Sequence, residues 1–540
     1  MEPAMRRLAG HESLDQMLSI VGATSVVTDR SELRAAETAT FEIHCTIPMI
    51  VRPETREQLQ ECVRAANRER IAIYPVSTGK NWGYGSSVPT ADQCVLVNLS
   101  RMNRILDFNE KLGYVTIEPG VTQCQLYQFL QDKGSSLWMD STGSSPDCSV
   151  IGNTVERGFG HTVYGDHFAN VCGLEVVLPS GELLYTGFGG LPGANATEVY
   201  RWGAGPSLDG LFSQSNFGIV TRMTIWLMPA PEYFQAYFFQ SSEEESLASL
   251  IEALRPLRMD GTLRSTVHIA NDYKVLNGIQ QFPWQEQMPL SRETMKRYQK
   301  TLKFGRWSGS GALYGSKGQV AEAAKRLRRA LDGKVSKLQF LDDRRLALAA
   351  RFARPYRWLT GWDLSRTLDL VRPVYGLMKG VPTDATLASA YWRKKTPPPA
   401  SPDPNRDGCG LIWYAPVSPA DGASVTTLVQ IAEDTLLDRG FEPMISLTMI
   451  AERSVACVIS IAYDREVPGE DGNAMACYEE LSHRLTSRGY YPYRLGIQSM
   501  GLLNSDRSRS EFLTSLKKSL DPNNVLAPGR YLTSEPGERR

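Results

Sequence analysis

Residues 73–89 read I-Y-P-V-S-T-G-K-N-W-G-Y-G-S-S-V-P, and what precedes and follows them decides the fold. Upstream, Leu59, Cys62, Val63 and Ala66 recur at helical spacing behind a Thr55-to-Gln58 capping box, and the apolar run 71–76 follows. The spacing predicts a helix, then a strand, then a glycine turn. Gly79, Gly83 and Gly85 remove side chains where the strand ends, so successive backbone N–H groups can converge on one anion. Such a turn suits a pyrophosphate cradle, and taken alone it suits a glycine-rich surface turn equally well. It matches neither a Walker loop, which needs G-x-x-x-x-G-K-[ST], nor the G-x-G-x-x-G dinucleotide fingerprint that opens a helix.

The chain has 540 residues, which suggests two domains or more. Lys plus Arg and Asp plus Glu each number 59, so charge gives no argument for a nucleic-acid surface or a polybasic membrane contact. A small-molecule substrate is the expectation. Nine scattered cysteines without a C-x-x-C pair argue against a disulfide framework or a zinc ribbon, and fit reduced thiols in the cytoplasm. The start, M-E-P-A-M-R-R-L-A-G-H-E-S-L-D-Q-M-L, lacks an apolar core long enough for a secretory signal, and no membrane-spanning segment is expected. With six histidines and no H-E-x-x-H, no metal site is expected.

Strand patterns at 94–99, 104–108 and 114–120 precede a helix over 124–131 capped by Thr122. The stretch 149–187 carries four glycines between Gly152 and Gly165, which implies that the backbone approaches something flat and large, and Pro179-Ser180-Gly181 joins two strands as a hairpin. A strand and a proline stop end at Pro229. Beyond it, helical patterns at 243–254, 319–331, 426–437 and 474–488 alternate with strands at 265–269, 336–340, 411–414 and 455–463, as in helices packed on an antiparallel sheet. The run 394–404, K-K-T-P-P-P-A-S-P-D-P, is an exposed loop that could sit over the site. The fold class is therefore α+β. Residues 1–235 form a nucleotide-binding domain with its core at about 42–231, residues 236–499 form a cap, and residues 500–540 form a C-terminal segment.

Five words in this order resemble the flavoprotein family of vanillyl-alcohol oxidase, eugenol oxidase and 4-cresol methylhydroxylase. They are G-K-N-W-G-Y-G, G-N-T-V-E-R-G-F-G-H-T-V-Y-G-D-H, W-G-A-G-P-S-L-D-G-L-F-S-Q-S-N-F-G-I-V-T, L-R-P-L-R-M and D-P-N-N-V-L-A-P-G-R. The resemblance covers nearly the whole chain. It implies extended FAD in the N-terminal domain, which the C-terminal tail rejoins, and a cap over the isoalloxazine ring. Cofactor contacts are then expected from Val76, Ser77, Thr78, Gly79, Lys80, Asn81 and Gly83, from Gly152, Asn153, Glu156 and Gly160, and from Gly218, Ile219, Val220 and Arg530.

In this family two tyrosines and an arginine hold a substrate phenol as phenolate, and the matching positions are Tyr84, Tyr493 and Arg494. A phenolate pushes electron density to the para position, so the benzylic C–H becomes a better hydride donor and the product is a quinone methide, open to water addition or desaturation. Asp166 matches a family carboxylate near the flavin; alternatively, G-D-H is good turn-capping chemistry. No histidine precedes the strand 411–416 where some relatives attach FAD, and Tyr391, near the Trp392-Arg393 pair, is the remaining candidate for a covalent link. Dissociable FAD is the expectation. His161 and Val163 replace a tyrosine and a proline of relatives. The alternative is the same fold acting on another alcohol or a natural-product scaffold, or feeding electrons to a separate cytochrome. Oxygen or an external acceptor, and a homodimer or larger assembly, complete what the resemblance implies.

Overall fold

The structure, a computed structural model, describes residues 15–360 and 364–532. The first fourteen residues, on which the leader expectation rests, and residues 533–540 of the C-terminal segment lie outside the described part. The helix Arg56–Glu69 runs into the strand Ile73–Val76 as its pattern requires. Leu59, Cys62, Val63 and Ala66 pack with Val51, Ile73, Val95 and Val97 in one buried cluster; each such aliphatic side chain contributes roughly 1.5–3 kcal/mol when fully buried. The capping box is only half formed. Thr55 accepts from the Gln58 N–H, but the Gln58 side chain turns back to the Glu54 N–H at 2.8 Å.

Ile73–Val76 pairs in parallel with Val95–Asn98, which pairs in parallel with Ile50–Val51. The free edge of Ile73 is taken by the C-terminal tail: Ile73 N–H donates to Val525 O, and Ala527 N–H to Ile73 O, both at 2.8 Å. A second, antiparallel sheet orders the strands Ile105–Asn109, Tyr114–Ile117, Ile219–Trp226, Val171–Val177 and Leu183–Tyr185. The last two are the hairpin expected around Pro179-Ser180-Gly181.

The cap is an antiparallel sheet in the order Lys337–Leu341, Tyr233–Ser241, Trp307–Gly315, Val267–Asn271, Met444–Met449, Ser454–Asp464 and Cys409–Tyr414. Strand side chains alternate between faces, and the two faces here are chemically unlike. Val267, Ile269, Ile445, Leu447, Cys457, Ile459, Ile461 and Ile412 enter the core beneath the helices Ser246–Met259, Gly422–Asp438 and Glu470–Thr486. His268, Ser446, Thr448, Val458, Ser460, Leu411 and Trp413 face the other way and line a cavity. The helix expected at 243 starts at Ser246, because Glu243 O accepts from both the Ser246 N–H and the Ser246 hydroxyl in a turn. The loop 394–404 is exposed along most of its length, and its end, Pro404, reaches the cavity wall.

Among the described residues, no helix is long and apolar enough to cross a membrane, and no cluster of three His, Cys, Asp or Glu side chains could hold a metal ion. All nine cysteines are unpaired.

Candidate active site

A cavity of about 480 Å³ lies between the glycine turn, the segment after Ser149 and the polar face of the cap sheet. The turn is shaped by two contacts on one acceptor, since Tyr84 N–H and Ser86 N–H both donate to Asn81 O. Left-handed glycines make this possible, with φ of 76° at Gly83 and 115° at Gly85. Any Cβ on Gly85 would stand 2.6 Å from the Ile497 side chain, so the chain near Tyr493 can approach the turn this closely only because the position is bare.

Tyr84, Tyr493 and Arg494, which are 410 residues apart at the extremes, meet at one end of this cavity. The Arg494 guanidinium lies over the Tyr84 ring, 4.5 Å from its centroid. Its Nη2 donates to Asn81 Oδ1 at 2.6 Å, and its Nε faces Glu156 Oε2 at 3.7 Å. Tyr493 is fixed through its backbone, which donates to Ala415 O and accepts from Gln214 Nε2. Trp413 meets Tyr84 edge-on at 5.7 Å.

The electrostatics keep these groups as donors. Burial raises the Tyr84 hydroxyl well above its ordinary range, helped by Tyr493 and opposed by Arg494. Burial likewise raises Tyr493 against the pull of Arg494. For Arg494 desolvation works against the charge, but Glu156 and the two tyrosines outweigh it and the guanidinium stays protonated. Burial alone would raise Glu156, yet Arg530 and Arg494 overcome it and hold the carboxylate below its usual range. Glu156 is the joint of the site: Oε1 accepts from Arg530 at 2.6 Å and Oε2 from the Tyr531 hydroxyl at 2.7 Å. One buried carboxylate thus ties the C-terminal tail to the arginine beside the tyrosines.

Val76, Ser77, Thr78, Gly79, Lys80 and Asn81 line the same cavity with Gly152, Asn153, Glu156, Gly218, Ile219, Val220 and Arg530. Gly79 has φ of 71°, and a Cβ there would fall 2.2 Å from Ser87 Oγ; a Cβ on Gly152 would fall 2.3 Å from Ser77 Oγ. Arg530 Nη1 is buried without a hydrogen-bond partner. A backbone groove bare of side chains, with hydroxyl donors and a spare guanidinium N–H, fits an extended anionic ligand.

Four expected positions lie elsewhere. Asp166 is exposed, and its Oδ1 accepts from Ala169 N–H at 3.1 Å. There it caps a turn. Gly160 is bare because Asp140 Oδ1 lies 2.4 Å from where its Cβ would be, Gly158 because the Asn153 amide lies 2.1 Å away, and Gly165 because Thr266 packs there, so these glycines make room for protein. Gly83 sits behind the cavity, donating to Thr40 Oγ1 and accepting from Trp413 N–H. Tyr391 is buried with its hydroxyl donated to Asp407 Oδ2 at 2.5 Å, and it does not line the cavity.

Sequence reasoning missed the roof. His268 accepts from the Thr448 hydroxyl at Nδ1 (3.0 Å) and lies 3.1 Å from Thr266 Oγ1 at Nε2. Because the Thr266 hydroxyl donates to Gly160 O, it accepts from Nε2–H, which fixes the tautomer. His161 stacks on this ring at 4.4 Å. Burial depresses both imidazoles, His268 well below its ordinary range, so both are neutral at pH 7. Lys274, from the helix Asp272–Ile279, also enters the cavity. Alternation in V-H-I-A-N places His268 on the opposite face from Val267 and Ile269, which is the one signal that could have found it.

A family model described as an FAD binding domain matches residues 47–187. The chain is 46% identical over 517 residues to a 1'-carboxy-chondrochloren decarboxylase of Chondromyces crocatus, with 95% of each chain covered. It is 32% identical over 488 residues to the 4-cresol dehydrogenase (hydroxylating) flavoprotein subunit of Pseudomonas putida, covering 88% of this chain and 86% of that one. Among solved structures, 4-ethylphenol oxidase from Gulosibacter chungangensis in its isoeugenol complex superposes with a TM-score of 0.88 at 28% identity, covering 98% of each chain.

Proposed function

Because the chain belongs to the vanillyl-alcohol oxidase and p-cresol methylhydroxylase family of FAD-dependent flavoproteins, we propose that it oxidises a para-hydroxyphenyl group carried on a natural-product scaffold. The observation that carries this reading is the meeting of Arg494, Tyr84 and Tyr493 in one buried pocket. A permanent cation and two protonated hydroxyls together hold an oxyanion, and each charge-assisted bond contributes roughly 1.5–3 kcal/mol. The substrate phenol, placed against Arg494, is the hydroxyl that gains most from ionising; the two tyrosines, desolvated, keep their protons.

FAD would lie along the groove from Val76 to Asn81 and past Gly152, Gly218 and Arg530, and when bound supplies a two-electron acceptor. The protein's part is to bind the substrate as phenolate, which loads electron density onto the para carbon and weakens the benzylic C–H. Neutral His161 and His268 add no charge to that end of the pocket.

The 46% identical relative favours loss of CO2 over water addition as the next step. A carboxylate on the carbon next to the oxidised benzylic position can leave as CO2. The pair from the broken C–C bond then becomes the new C=C, and the ring takes back its phenolate. Atoms and charge balance with one hydride removed.

Anaerobic mixing with 3-(4-hydroxyphenyl)propanoate is expected to bleach the flavin and yield 4-vinylphenol, whereas 3-phenylpropanoate leaves the spectrum unchanged. Bleaching by both compounds, or by neither compound nor any 4-alkylphenol, would refute the phenolate reading. Dissociable FAD is also part of this proposal, because the Tyr391 hydroxyl is committed to Asp407. Acid precipitation of the purified protein is expected to leave a colourless pellet and a yellow supernatant.

A further inference from the structure

Most buried cations among the described residues face a carboxylate; Arg258 is held by backbone carbonyls instead, and Lys80 on the cavity wall lies over the Trp82 ring. Lys394 faces Asp464 at 2.9 Å and Glu466 at 2.8 Å, Lys517 faces Asp521 at 2.7 Å, Arg393 faces Glu442 at 2.8 Å, and Arg306 faces Asp272 at 2.7 Å. Lys274 is different. Its backbone is anchored, with the N–H donating to the Asn271 side chain at 3.0 Å, but its ammonium meets no carboxylate, carbonyl or hydroxyl among the described residues. The adjacent carboxylate, Asp272, is already engaged by Arg292, Gln299 and Arg306. Desolvation is the one influence on Lys274, and it lowers the ammonium to about 8, with no neighbouring charge to offset it.

This unmatched side chain lies on the wall of the same cavity that holds Arg494. The helix that carries it packs on the strand Met444–Met449, whose Ser446 faces the cavity, and Ser460 on the neighbouring strand does so too. Neither serine hydroxyl is committed to another side chain among the described residues. Lys274 is half-buried, and a partly desolvated charge without a partner on a cavity wall is completed by a bound anion. Glu156 is shared by Arg494 and Arg530 and does not reach Lys274, so an anion for Lys274 would come from a ligand bound in the cavity. A single ammonium is a compact point charge, suited to one monovalent group with hydroxyl donors beside it.

We infer that Lys274 recognises a carboxylate on the substrate, so that the cavity reads a phenol at Arg494 and a carboxylate at Lys274. This rests on the phenolate reading above and adds to it the residue that selects acids over neutral phenols. Lys274 is a specificity residue here and takes no part in the bond-breaking step.

The test uses trans-4-hydroxycinnamate and its amide, which carry the phenol but no sp3 benzylic C–H and so bind the holoenzyme without turnover. Dissociation constants come from calorimetry and from the perturbed flavin spectrum. The wild-type protein is expected to bind the acid about 10-fold or more tightly than the amide, the worth of one charge-assisted contact. In K274M that preference is expected to vanish while the amide affinity is unchanged, and in K274R it is expected to return in part. Equal affinity of the wild type for acid and amide, or equal weakening of both by K274M, overturns the inference and leaves the phenolate reading standing. Failure of both cinnamates and of 4-ethylphenol to bind overturns both.

Discussion

Replacing Arg494 by Met is expected to lower kcat/KM for a para-hydroxyphenyl substrate by about 10²–10³-fold, the usual cost of removing one donor from a preorganised oxyanion site. The buried guanidinium is the one permanent charge beside Tyr84 and Tyr493, and Asn81 and Glu156 hold it in place. The loss should fall on the chemical step more than on binding, because the charge matters most once the phenol has ionised. The pH profile gives the sign. With Arg494 present the bound phenol ionises below its solution value near 10; without it, solvent must do so, and the rising limb of kcat against pH moves upward. R494K keeps the charge but loses the fork that reaches Asn81, and should fall between the two. Glu156 keeps Arg530 and Tyr531 in R494M, so the variant is expected to fold and remain yellow. A yellow R494M that keeps the wild-type kcat/KM, or a slowed one whose pH profile is unchanged, would refute the oxyanion role.

The second large effect is expected at the glycine turn that lines the cavity. Gly79→Val should yield a folded but colourless protein, its ratio of flavin to protein absorbance lowered by about 10-fold or more. Two independent penalties act there. The backbone sits at φ 71°, where a side chain costs roughly 1–2 kcal/mol, and the new Cβ would lie 2.2 Å from Ser87 Oγ. Relief requires the loop 77–87 to move, and that loop is the wall of the groove. Removing the contact atom in a G79A/S87A pair should recover part of the flavin content lost in G79A, because only the backbone penalty then remains. A G79V protein that keeps its colour would show that the cofactor does not depend on this turn. Loss of FAD should also lower Tm, since a ligand at free concentration L that binds only the folded chain stabilises it by RT ln(1 + L/Kd).

Much of this architecture could be read from local sequence. The helix before the cradle, the strand-turn transition at Val76, the hairpin at Gly181 and the helices of the cap all rest on interactions within a few residues. Hydrophobic spacing reports those directly. The trio Tyr84, Tyr493 and Arg494 could be named because it occurs in recognisable words, although nothing in those words shows that the two segments touch. Asp166 shows the limit of that method. Its word matched, but in the fold the carboxylate is exposed and caps Ala169.

What only tertiary structure decided is which side chains share a cavity and which have their charges answered. Gly160 and Gly83 look like cradle glycines in sequence, and packing against Asp140 and Trp413 explains them instead. Glu156 became the joint of the site because the tail returns Arg530 and Tyr531 to it from more than 370 residues away. Lys274 carries no sequence signal at all, since a lysine in the first turn of a short helix is ordinary. Its meaning comes from an absence in three dimensions: the neighbouring carboxylate is occupied elsewhere, and no counter-charge among the described residues reaches it. Local order follows from near neighbours along the chain, whereas the balance of buried charge depends on distant segments brought together by the fold, and it is this balance that selects the substrate.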